Sequence, residues 1–244
     1  MDETTFHTLL HQPGTLVDVG AHDGLITIPL ARLPGSRVLA FEPLPSAFAR
    51  LQAALRQAFG EVPPQAHLHA AALGDHAGEV TLTMPVLDGI AQEQWASTAK
   101  DYAAHRSDRV TVRGFTVPVM RLDDLGLADV TGMKIDAEGA EYEILRGARE
   151  TLLRCRPVLT IEIEERHREG STWSVPAYLD ALGYDVLFEL RGAWLPVAAL
   201  DRATMQRASP DPSVFEASDP YVFVFHALPR EDAARLLARL AQAK

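Results

Sequence analysis

Strand-like and helix-like patterns take turns along the chain. TLVDV (15–19) is a short apolar run with β-branched residues, the mark of a buried strand, and a helical pattern follows over Leu25–Leu33. Pro29 is admissible there only in or near a first turn. SRVLAFE (36–42) reads as a second strand. SAFARLQAALRQAF (46–59) reads as a helix, with apolar residues three and four apart and Ser46 as N-cap. AHLHAAAL, GMKID and PVLTIEIE read as further strands, with a helix over 140–153 and another over 175–182. GEVTLTMPV and VTVRGFTVPVM suggest a small added hairpin. Such alternation predicts a doubly wound, mostly parallel sheet covered on both faces. The last two strands, YDVLFEL and YVFVFHA, are joined by a stretch without a helical pattern, so they are expected to pair antiparallel. The expectation is an α/β chain of one domain over 1–244, built on a seven-stranded, Rossmann-like sheet with an antiparallel edge strand and a small β/loop insertion. A terminal amphipathic helix shows an apolar stripe of Ala233, Leu236, Leu237 and Leu240, expected to dock on its own domain.

Composition excludes several classes of function. The formal net charge of -10 repels phosphate backbones and argues against nucleic acid as a partner. No stretch approaches the roughly 18 apolar residues of a membrane span. MDETTFHTLLHQPG has neither the basic start nor the apolar run of a signal peptide. Cys155 is the single cysteine, so no internal disulfide framework exists, and a reducing, cytoplasmic setting is expected.

In a doubly wound sheet, ligands bind beyond the carboxyl ends of the strands. LVDVGAHDG (16–24) ends the first strand there with the spacing D-x-G-x-x-x-G, not the G-x-G-x-x-G of a pyrophosphate cradle. Asp18 before the first glycine repels phosphate and attracts an ammonium group. Glu42, 24 residues later at the end of the second strand, suits bidentate bonding to ribose hydroxyls. Together these fit a nucleoside carrying an amino acid, such as S-adenosylmethionine, better than a dinucleotide. A nicotinamide-dependent oxidoreductase and a non-catalytic cofactor-binding protein are the competing readings.

A second group of acids follows the fourth and fifth strands: Asp136 and Glu138, then Glu162, Glu164 and Glu165. Neighbouring strands bring them to one crevice, and alternation puts Glu162 and Glu164 on one strand face. Three uses compete: a general base toward an acceptor hydroxyl, a Mg²⁺ site with His167, and hydrogen bonding that orients loops. Asp136, Glu162 and His167 are the catalytic candidates. Lys134 is expected to pair with one of the acids, and Glu141 to sit in a helix's first turn, where the macrodipole favours its charge. Segments 87–108 and 165–173 lack strong periodicity and are candidate acceptor-covering loops. The first carries Trp95, Tyr102 and His105.

LVDVGAHDG, VLAFEPLPSAFARLQAAL, AALGD, MKIDAEGAEYEILRGA and PVLTIEIEE resemble the FkbM-type S-adenosylmethionine-dependent methyltransferases, over about Leu16 to Glu165. AFEPLP and KIDAEGAEYEILRGA are the most specific pieces. The resemblance implies the seven-stranded class I methyltransferase fold and O-methyl transfer to a small molecule, natural product or sugar. It places Asp18, Gly20, Ala21 and His22 at the methionine part of the cofactor, and Glu42 and Pro43 at the ribose. Ala71, Ala72 and Leu73 fall near the adenine, and Asp136 beside the methyl donor. His22 stands where the family pattern leads one to expect asparagine; both donate a hydrogen bond, but only histidine titrates near neutrality.

Overall fold

The computed structural model describes residues 1–91, 96–97, 110–206 and 220–242. Five strands run parallel: β1 (Gly14–Val19), β2 (Ser36–Phe41), β3 (Ala66–His69), β8 (Val130–Ile135) and β9 (Val158–Glu162). Three more complete the sheet: β10 (Tyr184–Leu190), β11 (Ala193–Pro196) and β12 (Val224–Pro229), giving the order β11-β10-β12-β9-β8-β1-β2-β3. β12 enters antiparallel between β9 and β10, and β11 pairs antiparallel with β10 at the edge. The sheet thus has eight strands where the sequence led us to expect seven. AWLP is too short and too mixed to show a strand period.

Strand periodicity splits the sheet into two packed faces. Val17, Val19, Leu39, Phe41, Met133, Ile135, Leu159 and Ile161 point to one face. There they meet α4 (Glu141–Gly147), α5 (Arg149–Cys155) and α6 (Ser171–Ala181) through Ile144, Leu152, Val175 and Leu179. The alternate residues meet the other helices. Leu16 and Val38 pack on α2 (Thr27–Ala31), and Ala40 packs on α3 (Pro45–Phe59). Val158, Leu187 and Leu228 pack on α1 (Glu3–Leu10) and α8 (Ala233–Gln242). Ala233, Leu236 and Leu240 are the buried side of the terminal helix, docked against Phe6 and Leu10. Pro29 is the third residue of the five-residue α2, where no intrahelical N–H is needed.

AHLHAAAL is not one strand. Ala66–His69 pairs with β2, whereas β4 (Ala72–Leu73) leaves the main sheet. β4 joins β5 (Gly78–Leu87), β6 (Ile90–Ala91) and β7 (Val110–Met120) in a second sheet, ordered β4-β7-β5-β6. This is the expected insertion. Its Leu82, Met84, Val86 and Val117 pack on Leu44 and Ala47 at the start of α3, which holds the small sheet beside the carboxyl ends of the main strands. The helix expected over 140–153 is broken at Ala148, a residue shared as cap by α4 and α5. There a β-carbon on Gly147 would lie 1.9 Å from the carbonyl oxygen of Gly74, so close approach of the two chains requires glycine. α6 starts four residues before the expected Val175, and a short helix, α7 (Arg202–Met205), follows β11 in the segment read as unstructured. Residues 92–95 and 98–108 of the first candidate loop, with Trp95, Tyr102 and His105, lie outside the described residues.

Candidate functional site

The turn after β1 is held by its own amides. Gly20 (φ +74°) and His22 (φ +48°) take left-handed backbone, as does Gly24 (φ +87°). Gly20 and Ala21 both donate N–H to the carbonyl of Phe41 at 3.0 Å, and Gly24 donates to Ala21 at 2.8 Å. His22 N–H donates to Glu42 Oε2 at 2.9 Å, and Leu44 N–H donates to Glu42 Oε1 at 2.8 Å. Four of the turn's N–H groups are therefore spent inside the protein. A pyrophosphate cradle needs such groups free. Burial pushes the Glu42 carboxyl above the usual range, against the pull of those two N–H groups. Each oxygen keeps acceptor capacity, because an ionised carboxylate has about four lone-pair sites.

Lys134, two residues before the end of the β8 run KID, is the cation of the site. It is 4% exposed. Its ammonium donates to the carbonyls of Val19 (3.1 Å) and Gly20 (2.8 Å), and lies 3.5 Å from Asp136 Oδ2 and 3.7 Å from Asp18 Oδ1. Burial opposes its charge, but Asp136, Asp18, Glu3 and Glu162 together hold its pKa well above the ordinary lysine value. The expected pairing of Lys134 with acids is thus found twice over.

A cavity of about 480 Å³ opens over the carboxyl ends of β1, β2, β8 and β9. That is within the range of sites for small ligands. Gly20, Ala21, His22, Glu42, Pro43, Ala72, Asp136 and Glu162 all line it, as do Ala71 and Leu73. Most of the sequence-derived candidates therefore share one wall. Asp18 does not. It is fully buried beneath the turn, accepts from Thr27 Oγ1 at 2.5 Å, and has its pKa raised by burial. It faces Lys134 rather than the cavity. His167 is also withdrawn: its Nε2 lies 3.2 Å from both Glu138 Oε2 and Glu164 Oε1, behind the cavity wall. Glu164 is held low, since bonds from Arg166 and Tyr221 outweigh its burial. Glu165 caps the start of α6 by accepting the N–H of Gly170 (2.6 Å) and of Thr172 (2.9 Å). Glu141, in the first turn of α4 as expected, accepts from the amides of Ala137 (3.1 Å) and Gly139 (3.0 Å), and burial raises it to about 7. Trp173 does not reach the cavity; the Arg202 guanidinium stacks 3.4 Å over its ring.

The acids therefore divide into a cavity set and a set that orders loops. Among the described residues, no group of three or more His, Cys, Asp or Glu side chains is placed to hold a metal ion, so the Mg²⁺ reading has no ligand set here. Among the same residues no helix is long and apolar enough to cross a membrane.

Among the wall residues that escaped sequence reasoning are Arg166 and Glu3. Arg166 reaches the cavity from the second candidate loop while Glu164 grips its guanidinium at 2.6 and 2.7 Å. Glu3 arrives from α1. No local motif marks either one; Glu3 is brought in only by packing of a helix remote in sequence. The wall thus carries Glu42 at one end, further acids at the other, and a turn with its N–H groups spent.

Comparison with known proteins bears on the family and the fold. Residues 18–186 match the methyltransferase FkbM domain. The chain is 29% identical over 186 residues to the 2-O-methyltransferase NoeI of Sinorhizobium fredii, covering 72% of this chain and 74% of that one. It is 29% identical over 194 residues to the AMB antimetabolite synthetase AmbE of Pseudomonas aeruginosa, covering 67% of this chain but 9% of AmbE. Among solved structures, the methyltransferase FkbM from Methylobacillus flagellatus superposes with a TM-score of 0.54 at 18% identity, over 88% of this chain and 43% of that one. This likeness concerns the fold.

Proposed function

The chain belongs to the FkbM family of S-adenosylmethionine-dependent methyltransferases, and on that premise we propose that it methylates a hydroxyl group of a small molecule or sugar. The observation that carries this reading is the pairing of a phosphate-averse turn with Glu42 and Asp136 in one cavity. The name of the relative NoeI, a 2-O-methyltransferase, supports a hydroxyl as the acceptor.

When bound, S-adenosylmethionine supplies a methyl group already activated by its sulfonium. Glu42 would hold the ribose hydroxyls, with Pro43 fixing the chain beside it. Gly20, Ala21 and His22 would face the amino-acid part, and Ala71, Ala72 and Leu73 the adenine. Asp18 acts at one remove, as the buried counter-charge that keeps Lys134 in place. Lys134 in turn ties the carbonyls of Val19 and Gly20 to the β8 end and so sets the turn against Asp136.

The protein's remaining task is to align an acceptor hydroxyl and take its proton. Asp136 is the group we assign to that proton. Glu162 is pushed up to about 9 by burial and by repulsion from Asp136 and Glu3, so its carboxyl keeps its proton until a cation is brought beside it. His167 is a positioning residue for Glu138. Transfer of labelled methyl from S-adenosylmethionine to a panel of hydroxylated acceptors tests the reading. Label on nitrogen or carbon, with none on oxygen, would overturn it.

A further inference from the structure

α1 lies outside the matched residues 18–186, yet it supplies part of the cavity wall. Its seating is exact enough to define what it brings. Phe6 and Leu10 are buried against β9, β10, β12 and α8. His7, 2% exposed, hydrogen-bonds through Nε2 to Thr160 Oγ1 at 3.0 Å. Gly132 on β8 leaves the room for that ring, since a β-carbon there would lie 2.9 Å from His7 Nδ1. Glu3 precedes His7 by one helical turn, and Glu162 follows Thr160 by one strand repeat, so each pair shares a face. The His7–Thr160 contact thus sets Glu3 beside Glu162 at the cavity.

Neither carboxyl makes a side-chain hydrogen bond or a salt bridge among the described residues. Both are raised, Glu3 chiefly by burial and Glu162 by burial, Asp136 and Glu3. The nearby cations are committed elsewhere. Lys134 is spent on two carbonyls, Asp18 and Asp136, and Arg166 on Glu164. Lys134 draws both carboxyls down from a distance, yet among the described residues no cation is in hydrogen-bond or ion-pair contact with either, so both lower their free energy when a ligand brings one into the cavity. A neutral polyol does not supply that charge, and an anion adds repulsion.

We propose that Glu3 is a specificity-determining residue which, with Glu162, selects an acceptor carrying a protonated amino group beside its hydroxyls, as in an amino sugar. This rests on the methyltransferase reading of the same cavity. The ammonium would lie against Glu3 and Glu162, leaving a neighbouring hydroxyl toward Asp136.

The test is calorimetric titration of the full chain, saturated with S-adenosylhomocysteine, using glucosamine, glucose and glucuronate in neutral buffer. Wild type should prefer glucosamine over the other two by about tenfold or more, as charge-assisted hydrogen bonds give. Glu3→Gln should flatten that preference among the three probes. Glu3→Arg should turn the ranking toward glucuronate, an inversion that a purely structural role of α1 would not produce. Equal binding of the three probes, absence of glucosamine binding, or an unaltered ranking in Glu3→Arg overturns the proposal. Failure of the methyl-donor reading shows separately, as no heat from S-adenosylhomocysteine; the ranking is then read on the protein alone.

Discussion

A β-carbon on Gly20 would stand 2.0 Å from the carbonyl oxygen of Asp136, the residue that follows β8. The turn after β1 and the acid after β8 are therefore in backbone contact, and the cavity forms where they meet. Gly20 also takes φ +74°, which costs a side-chain-bearing residue roughly 1–2 kcal/mol. Gly20→Ala should lose more than this strain alone, because the clash is with backbone. Chemical denaturation should show a loss above about 2 kcal/mol, and S-adenosylhomocysteine affinity should fall with it. A fully stable, fully binding Gly20→Ala protein would refute the contact.

Lys134 and Asp18 form the second coupled pair. Removing the ammonium alone leaves the fully buried Asp18 without its cation, a change that typically costs about 3–5 kcal/mol. Lys134→Met should be destabilised to that degree, and Lys134→Met with Asp18→Asn should recover part of the loss. Denaturant unfolding of the two singles and the double gives the coupling. Strict additivity would mean that the pair does not interact.

Glu162 makes a pH prediction with a definite sign. Its pKa in the fold, about 9, exceeds its ordinary value of 4.5. The fold therefore favours the protonated form. Its contribution is complete below about pH 4.5 and is lost as pH climbs through 9. Glu162→Gln cannot ionise. It should match wild type near pH 5 and melt higher near pH 9, each kcal/mol recovered being worth roughly 2–4 °C at this chain length. A pH-independent difference between the two melting curves would count against the assignment.

Much of this site was legible in the sequence because strand ends announce themselves. Gly20, Glu42 and Asp136 each stand at the close of an apolar run, and three parallel strands that end together bring their last residues together. Asp18 was harder, because its identity says nothing about which way the strand turns it. The period of β1 puts Asp18 on the α1 side with Lys134 and Thr27, beneath the turn and not in the cavity. His167 was drawn toward the chemistry by its loop, but two glutamates hold it behind the wall. Glu3 was illegible because its place depends on how His7 meets Thr160, a contact across 153 residues. The split of AHLHAAAL between two sheets was hidden for a related reason: one continuous apolar pattern serves two different partners.

The central claim is that this cavity takes a nucleoside bearing an amino acid, with Glu42 on its ribose. Calorimetric titration of S-adenosylhomocysteine into wild type and Glu42→Gln, with NAD as the counter-ligand, tests it most directly. The account predicts saturable binding of S-adenosylhomocysteine, no comparable binding of NAD, and a loss of roughly 1.5–3 kcal/mol in Glu42→Gln, the worth of hydrogen bonds to a charged group. Binding of NAD in preference to S-adenosylhomocysteine, or an affinity untouched by Glu42→Gln, would contradict it.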